Sequence, residues 1–543
     1  PVEERLYHER LYAALAYIRA NRLNRVTLPA AGATVGIVTA GKAHQDVQGA
    51  LAVLGLDAAR AEALGVRVLK LGVVWPVEPT VVRDFAQGLQ TLVVVEEKRP
   101  LIEAQLRSIL YGQPGAPAIL GKVRSGHLYD PQPDWLFPNF GETSPTMVAR
   151  LLAHLLASRD PALASRLPEP APSEGLPAPI ARTPSFCSGC PHNRSTRLPA
   201  GSRALAGIGC HGMQVFLDPE NCKTVAQMGG EGMHWMGQAP FTSETHVFAN
   251  IGDGTFAHSG SLAIRQAVAF DARITYKLLV NGFVSMTGGQ TIAGGQSVPR
   301  IVEGLLAEGV RKIVVVTDDL DKYAGVRLPA DVPLEHRSQM ERVQKELREY
   351  PGVSVIVYEQ PCATERRRLR KQGKWEDPAK RTFINHRVCE GCGDCGKAST
   401  CLSIEPRETP FGRKRQINQS SCNKDFSCIE GFCPSFVTVH GGKLRGPDRR
   451  DARLQPFEVP QPERPVLSGT YSVLVGGIGG TGVVTVGQVL AMAAHIDGTP
   501  CLSLDVMGMA QKYGAVFSHL NFASDTGKLN AARIGIGQTD ALI

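Results

Sequence analysis

The chain has 543 residues, of which 43% are hydrophobic and 20% charged, the balance of a globular protein large enough for several domains. Its net charge of +8 is modest, and its basic runs lack interleaved aromatic residues, so we expect no nucleic-acid partner. No apolar run reaches the length of a membrane span, so we expect no membrane contact. The 13 cysteines cluster beside glycine and proline, which indicates metal binding in a reducing compartment, the cytoplasm, and argues against disulfides.

Residues 1–160 alternate strand-like and helical patterns. The strand candidates are 35–39, 66–71 and 92–96, and a helical stretch runs to about Leu54 after the first of them. This alternation predicts an α/β domain with a parallel sheet. The proline-rich stretch 161–184 then predicts a semi-extended linker.

Residues 185–372 repeat the same rhythm and carry a candidate cofactor site. The strand candidates are 247–251, 275–280, 313–317 and 353–358. Gly252, Asp253 and Gly254 follow one of these strands, and Asn281 follows the next. Ligands gather at the carboxyl ends of parallel strands, where a carboxylate and an amide oxygen can hold Mg²⁺ against a diphosphate. A helix predicted to begin near Ser259 would direct its N-terminus at the phosphates.

Gly-Asp-Gly alone is common in structural turns, which is the alternative here. Followed by 26 residues and then Asn281, it is the signature of thiamine diphosphate sites. Asp253 and Asn281 are then the predicted Mg²⁺ ligands, and a backbone carbonyl near Phe283 completes the set.

The densest basic stretch of the chain covers residues 366–371, with Lys374, Lys380 and Arg381 beyond it. The stretch predicts either a solvated helix face or a docking patch for an acidic redox partner.

The segment 383–445 contains seven cysteines, Cys389, Cys392, Cys395, Cys401, Cys422, Cys428 and Cys433. Three cysteines at two-residue gaps with a later Cys-Pro are typical of cubane iron–sulfur sites. Structural zinc is the alternative, although it usually uses two separated pairs. Two four-iron clusters need eight ligands, so the predicted split leaves the second cluster one ligand short. The first takes Cys389, Cys392, Cys395 and Cys433, and the second takes Cys401, Cys422 and Cys428.

A second proline-rich stretch, 446–468, predicts another linker, and residues 469–543 begin a further α/β domain. Gly477, Gly479 and Gly482 match the dinucleotide fingerprint after a strand, and Asp505 stands where a ribose-binding acid is expected. These residues alone predict a nicotinamide or flavin site.

The sequence from Gly252 to Gln290 resembles the 2-oxoacid:ferredoxin oxidoreductases, and within them the indolepyruvate ferredoxin oxidoreductases in their long fused form. The resemblance extends over nearly the whole chain. It implies cofactor binding by Gly252, Asp253, Gly254, Asn281, Phe283, Thr287 and Gly288. Met286 stands where the pyruvate enzymes have asparagine, which implies a less polar substrate surround.

The same resemblance sorts the remaining cysteines. It implies a proximal cluster beside thiamine, held by Cys187, Cys190, Cys210 and Cys362. The alternative is a metal-free loop that packs on thiamine. Cys222 and Cys501 are isolated and are expected to be small buried residues. By the same resemblance the Gly477 loop opens a truncated gamma-type domain that has no known nicotinamide.

The resemblance implies oxidative decarboxylation of aryl 2-oxoacids such as indolepyruvate, with thiamine diphosphate and Mg²⁺ as cofactors. The acyl group passes to coenzyme A, and electrons leave singly through two or three 4Fe–4S clusters to ferredoxin. Residues 1–160 resemble the transketolase C-terminal-type domain, and a homo-oligomer is expected. His258, His192 and His211 are candidates for proton transfer, with a structural role as the alternative for each.

Because the chain begins at Pro1 and ends in mid-pattern, we expect it to be a fragment of a longer polypeptide. In the family, a pyrimidine-binding region with an activating glutamate precedes this part, so we expect the fragment alone to bind clusters without turning over. Two other functions remain open. One is a non-catalytic iron–sulfur electron-relay subunit, and the other is a nicotinamide-linked oxidoreductase that uses the Gly477 loop.

Overall fold

The computed structural model describes residues 2–125, 127–167, 184–442, 466–508, 514–529, 532–535 and 538–543. In these ranges, no helix combines the length and the apolar character needed to cross a membrane.

The first domain is a five-stranded α/β layer. Its strands are β1 (Arg25–Leu28), β2 (Val35–Ala40), β3 (Val66–Leu71), β4 (Thr91–Val95) and β5 (Ala118–Leu120). Its helices are α1 (Val2–Arg5), α2 (Leu11–Ala20), α3 (Gly41–Val53), α4 (Ala58–Ala63), α5 (Pro79–Ala86), α6 (Leu101–Leu110) and α7 (Pro145–Leu155), with a π-helical turn at Leu6–Arg10. The strand order is β1–β3–β2–β4–β5, and only β1 is antiparallel. Apolar side chains are buried on both faces of this sheet, which explains why its strands are continuous apolar runs. The predicted parallel sheet is confirmed.

The predicted linker 161–184 is wrong at its beginning. A 3-10 turn, Pro161–Arg166, packs back on the first domain: Leu163 is fully buried in its core, and Arg166 Nη1 donates to the Leu54 carbonyl at 2.9 Å. The apolar Leu163 makes the short segment adhere despite its proline content. Residues 168–183 of the predicted linker lie outside the described residues.

The second domain is a six-stranded parallel sheet. Its strands are β6 (Ala204–Leu205), β7 (Val247–Gly252), β8 (Ile274–Val280), β11 (Lys312–Thr317), β12 (Leu334–His336) and β13 (Val353–Glu359), with a separate pair β9 (Phe283–Val284) and β10 (Gln290–Thr291). Its helices are α8 (His192–Ser195), α9 (Gln214–Leu217), α10 (Met233–Gln238), α11 (Asp253–Thr255), α12 (Ser261–Ala269), α13 (Val298–Ala307), α14 (Met340–Arg348) and α15 (Ala363–Lys371). The order β12–β11–β13–β8–β7–β6 makes β13, β8 and β7 neighbours, so their carboxyl ends meet at one edge.

The helix after β7 begins earlier than predicted. Helical backbone starts at Asp253 and continues through a π-helical turn, Phe256–Gly260, into α12, whereas the sequence predicted a start near Ser259. The prediction treated Gly254 as part of a loop, but glycine also fits the first turn, where Gly254 N–H donates to Asp253 Oδ1 at 2.9 Å.

The cysteine-rich segment has little regular structure. It contains β14 (Lys380–Ile384), α16 (Asp394–Ser399), β15 (Ile404–Arg407), β16 (Lys414–Ile417) and β17 (Phe436–His440). The strands form two antiparallel pairs, β14–β17 and β15–β16. Its small apolar cluster consists partly of cysteine side chains.

The last domain contains β18 (Thr470–Ile478), α17 (Val483–Ile496), β19 (Cys501–Met507), β20 (Ala515–Ala523) and β21 (Ala541–Leu542). The antiparallel β20 lies between β18 and β19, so the strand that carries Asp505 is not the neighbour of the strand that precedes the glycine turn. Asp505 lies in the middle of β19, and its Oδ1 accepts from Ser518 Oγ at 2.7 Å. The arrangement differs from the dinucleotide-binding unit that the fingerprint predicts.

Candidate functional site

Asp253 and Asn281 meet at the carboxyl ends of β7 and β8, as predicted. Asp253 Oδ2 accepts from the backbone N–H groups of Asn281 at 2.8 Å and Gly282 at 2.7 Å. Asn281 Oδ1 accepts from Phe283 N–H at 3.0 Å, which turns the chain back over the strand ends. Two oxygen-bearing side chains are therefore held at one sheet edge, the donor chemistry that suits Mg²⁺.

The Asp253 carboxylate is buried, with a 7% exposed residue surface. Burial raises its pKa, while the N–H groups of Gly282, Asn281 and Gly254 oppose that shift. A buried carboxylate is costly without a cation, so a bound divalent ion would stabilise it.

A cavity of about 510 Å³ opens beside Asp253. Its lining combines Gly282, Ser261 and the glycine-rich turn at Gly294 and Gly295 with larger side chains that include Phe256, Ile264, Leu305 and Glu308. The glycines of this lining leave main chain open to a ligand, and a diphosphate at this position stays a prediction.

The loop with Thr287 and Gly288 is fastened to α15. Arg368 donates to the carbonyl oxygens of Gly288 and Gly289, both at 3.4 Å. Gly289 has φ +80°, and a Cβ there would stand 2.0 Å from Glu365 Oε1, so only glycine fits. The predicted cofactor loop is thus held by a helix that begins next to Cys362.

The four cysteines of the predicted proximal site come together from three separate parts of the chain. Cys187, Cys190, Cys210 and Cys362 all line one small enclosed cavity, together with Asn281 and Ser285. The sheet order explains the convergence, because Cys362 follows β13 and Asn281 follows its neighbour β8. None of the cysteines forms a disulfide.

Two hydrogen bonds fix this arrangement. Cys362 N–H donates to the Asn281 carbonyl at 3.2 Å, so the cysteine and the predicted Mg²⁺ ligand are adjacent. Thr364 Oγ1 donates to Cys187 Sγ at 3.3 Å. The cysteine cavity therefore adjoins the Asp253 site directly.

The three candidate histidines have different surroundings. His258 is exposed and its Nδ1 lies 2.8 Å from Ser259 Oγ. His192 is buried and lines the cysteine cavity. His211 is buried beside His192, with ring centroids 5.9 Å apart, and its Nε2 has no hydrogen-bond partner within the described part of the chain. Burial lowers the pKa of His211 to about 4, so its ring is neutral at pH 7.

The seven cysteines of the 383–445 segment separate into two groups. Cys401, Cys422 and Cys428 form an inner group: burial, with the nearby Cys401 and Cys422 thiols, raises the pKa of Cys428 to about 12. Cys389, Cys392 and Cys395 form an outer group, in which burial and then the other two thiols raise the pKa of Cys395. The assignment of these groups to two clusters stays a prediction.

Cys433 lies at the same end of the β14–β17 pair as Cys389. Cys389 N–H donates to the Asn385 carbonyl at 3.0 Å, and Asn385 N–H donates to the Ser435 carbonyl at 2.7 Å. This places Cys433 with the outer group. Among the described residues, no three His, Cys, Asp or Glu side chains converge on a position for a single metal ion. A cubane does not require such a position, because each of its thiolates binds a different iron atom.

The inner group is fastened to the Cys187–Cys190 loop by residues that sequence reasoning missed. Asn423 Nδ2 donates to the Ser188 carbonyl at 2.8 Å, and Gln360 Nε2 donates to Asp425 Oδ1 at 2.8 Å. Arg337 forms an ion pair with the same Asp425, and both side chains are about nine-tenths buried. No motif marks these residues; the only signal was the position of Asn423 and Asp425 between two cluster-type cysteines.

The basic stretch 366–371 lies in α15, and three of its four arginines bind inward, contrary to both sequence interpretations. Arg366 pairs with Asp318, Arg367 donates to the Ser420 carbonyl, and Arg370 donates to the Asn423 carbonyl at 2.9 Å. Guanidinium groups bind free carbonyls well because they present several donors in a fixed plane. The stretch therefore joins the second domain to the cysteine-rich segment.

The two isolated cysteines differ in exposure. Cys222 is fully buried, as expected, and burial raises its pKa to about 11. Cys501 is only partly buried, at the first residue of β19.

Three family models match separate parts of the chain. An indolepyruvate oxidoreductase domain matches residues 25–167, and the C-terminal TPP-binding domain of thiamine pyrophosphate enzymes matches residues 207–357. A pyruvate ferredoxin/flavodoxin oxidoreductase domain matches residues 472–543.

Curated relatives carry the name indolepyruvate oxidoreductase subunit IorA. The protein from Thermococcus kodakarensis is 28% identical over 424 residues, which is 74% of this chain and 60% of the relative. That from Methanothermobacter marburgensis is 26% identical over 435 residues, or 78% of this chain and 62% of the relative. The chain thus spans about three fifths of the length of the curated relatives it matches.

Two solved structures show limited similarity. A 2-oxoglutarate:ferredoxin oxidoreductase from Magnetococcus marinus is 20% identical, with 34% of this chain and 66% of that chain covered and a TM-score of 0.26. A putative thiamin diphosphate-dependent enzyme from Mycobacterium smegmatis is 16% identical, with 64% of each chain covered and a TM-score of 0.25. The sequence relatives and family matches confirm the resemblance and the multidomain α/β class.

Proposed function

We propose that this chain, a relative of the indolepyruvate oxidoreductases, provides the thiamine site and the electron path of an enzyme that oxidatively decarboxylates aryl 2-oxoacids. The products are an acyl-coenzyme A, CO₂ and reduced ferredoxin. One observation carries the proposal: the cavity that Cys187, Cys190, Cys210 and Cys362 share is also lined by Asn281, the predicted Mg²⁺ ligand. A cysteine site built for a one-electron carrier thus adjoins a diphosphate site.

The residues at the β7 and β8 ends fit thiamine diphosphate with Mg²⁺. Asp253 and Asn281 would hold the metal, and the carbonyl of Phe283 would complete the protein ligands. Thiamine diphosphate, when bound, supplies an electron sink for the decarboxylation. The chain's own contribution is to hold the diphosphate against Gly252 and Gly254 and to orient it with the loop that Arg368 fastens.

The cysteine groups support transfer of single electrons away from that site. Cys187, Cys190, Cys210 and Cys362 would hold the proximal 4Fe–4S cluster. The outer group with Cys433 supplies four thiolates for another. The inner group supplies three, and its fourth ligand is not assigned. Carriers that accept one electron at a time suit ferredoxin as the final acceptor.

The aryl substrate is inferred from the relatives' names and from Met286. Met286 is 43% exposed beside the Asn281 site, where an apolar side chain favours an aromatic substrate over a small polar one. Coenzyme A is proposed as the co-substrate.

The two other functions predicted from the sequence have less support. Asp505 is already hydrogen-bonded to Ser518 within the sheet, which disfavours a ribose contact in a nicotinamide site. A non-catalytic relay would not need the buried Asp253 carboxylate at a diphosphate-sized cavity.

The test is anaerobic reduction of methyl viologen by the full-length, cluster-loaded protein. Indolepyruvate or phenylpyruvate with coenzyme A should reduce the dye, and pyruvate should do so more slowly. Iron and sulfide in equal amounts should accompany activity. No dye reduction with any 2-oxoacid would overturn the proposal, zinc without sulfide would overturn the electron path, and reduction of NAD⁺ instead would favour the nicotinamide-linked alternative.

A further inference from the structure

We propose that an acidic one-electron carrier protein of the ferredoxin type docks on the outer face of the cysteine-rich segment. This docking face consists of Val388, Phe432 and the hairpin 404–417. The inference rests on the proposed function, because it requires clusters in both cysteine groups. It adds where the partner binds and why its charge is acidic.

The two cysteine groups differ in their exposure to solvent. The inner group lies against the second domain, because Asn423 binds the Ser188 carbonyl and Asp425 binds Arg337. Among the seven cysteines of the segment, Cys392 and Cys433 are the exposed ones, and both belong to the outer group. The outer group is therefore the place where an electron can leave the chain.

Apolar side chains are exposed directly beside these thiols. Phe432, next to Cys433, is 100% exposed, and Val388, next to Cys389, is 44% exposed. Phe411, in the turn of the hairpin, is 87% exposed. Exposed apolar side chains next to cysteines of the outer group indicate a binding surface.

The hairpin is basic and lies against the loop of the outer cysteines, where Gly391 closely approaches the Arg413 carbonyl. Residues 404–417 contain four cations, Arg407, Arg413, Lys414 and Arg415, and two acids, Glu405 and Glu408. Glu408 pairs with Arg413, and Glu405 accepts from Asn418 Nδ2 at 2.8 Å, so four cations against two acids leave the hairpin a net charge of +2. A small apolar centre with a cationic rim suits a brief encounter with an acidic carrier.

Arg415 lies on the inner face of the hairpin, against the outer cysteines. Its Nη2 is 3.0 Å from the position a Cβ would take at Gly393, and its Nε is buried with no hydrogen-bond partner in the described structure. A cation there stabilises an added electron on the outer group. Each encounter then oxidises the outer cluster by one electron and reduces the carrier's cluster by one, with no proton or bond transferred.

The test measures binding of a small acidic bacterial-type ferredoxin to the full-length, cluster-loaded protein in stopped flow at low and high salt. The double substitution Arg407→Glu/Arg413→Glu should lower the association rate constant at low salt by roughly tenfold or more. Arg5→Glu is the matched control, because Arg5 and Arg413 are 63% and 68% exposed and each pairs with a glutamate. The control should bind as the wild type does.

A second variant, Phe432→Ser, should raise the dissociation rate several-fold while the cluster EPR spectra stay unchanged. The docking proposal is overturned by wild-type association in the double variant, by an equal loss in Arg5→Glu, or by no binding of the ferredoxin to the wild type. Methyl viologen reduction keeps the two proposals apart. If the protein reduces methyl viologen but the hairpin substitutions do not change ferredoxin binding, only the docking proposal is refuted. If the hairpin substitutions weaken ferredoxin binding but the protein does not reduce methyl viologen, only the proposed activity is refuted.

Discussion

Cys362 donates its backbone N–H to the carbonyl oxygen of Asn281 at 3.2 Å, which joins a predicted cluster ligand to a predicted Mg²⁺ ligand. The bond continues the pairing of β13 with β8 past the strand ends, after Gln360 N–H has bonded the Val280 carbonyl at 3.0 Å. Sheet register therefore fixes the spacing of the two sites, and neither site can shift without disturbing the other.

Asp253→Asn should abolish the stabilisation that thiamine diphosphate and Mg²⁺ give to the full-length protein, because an amide at this position leaves the cation without its carboxylate. The measurement is a thermal shift with and without both ligands. Asp271→Asn is the control, since Asp271 has φ +49°, which asparagine also adopts. A ligand-dependent shift that survives in Asp253→Asn would show that the cofactor binds elsewhere.

Cys362→Ala should lower the iron content by about four atoms per chain, because a cubane with one thiolate missing assembles poorly. Cys222→Ala should leave iron unchanged, since Cys222 is fully buried among apolar residues away from both cysteine groups. Iron and acid-labile sulfide analysis compares the two. Equal iron in both variants would favour the metal-free loop as the role of Cys187 and Cys190.

Arg337→Met should lower the free energy of unfolding by about 3–5 kcal/mol, because it leaves the buried Asp425 carboxylate without its ion pair. Arg342→Met should cost under about 1 kcal/mol, since Arg342 is 52% exposed and pairs only with surface glutamates. Urea unfolding of both variants gives the comparison. Adding Asp425→Asn to Arg337→Met should recover part of the loss, and a double variant less stable than the single one would contradict this account.

His246 should make the second domain less stable as pH falls from about 6.5 toward 4. Burial, with Arg273 and Arg348 nearby, lowers its pKa to about 4, and its Nδ1 has no acceptor for a proton within the described residues. In that window the unfolded chain binds the proton and the folded chain does not. Lowering the pH therefore reduces the free energy of unfolding by about 1.4 kcal/mol per pH unit. His246→Gln should flatten the pH dependence of the unfolding free energy; an unchanged slope would exclude His246 as its source.

The sequence predicted well whatever depends on short-range pattern. The central strands of both sheets and the Asp253–Asn281 pair follow from periodicity and spacing, whereas no pattern predicted the edge strands β1, β5, β6 and β12. The sequence did not predict contacts between segments that are far apart in the chain and carry no motif. Arg337 and Asp425 are 88 residues apart, and nothing local to either marks the other. The arginines of α15 had the composition of a solvated helix, because carbonyl acceptors on another segment leave no trace in sequence.

The histidines show the same limit. His258 lies inside the strongest motif yet points to solvent, whereas His211 is buried beside the cysteine cavity without a comparable motif. Which residues of the first turns face the sheet depends on the helix beginning at Asp253, and the sequence predicted a start near Ser259.

The nine-residue helix α15 connects three parts of the proposed site. The helix begins next to Cys362, Arg368 grips the cofactor loop, and Arg370 grips the inner cysteine group through Asn423. Electron tunnelling slows steeply with distance, so the gaps between donors and acceptors must not vary with thermal motion. A single short helix that spans these gaps works as a rigid spacer. A lengthened or kinked α15 would therefore slow electron transfer although every predicted cluster ligand is still present.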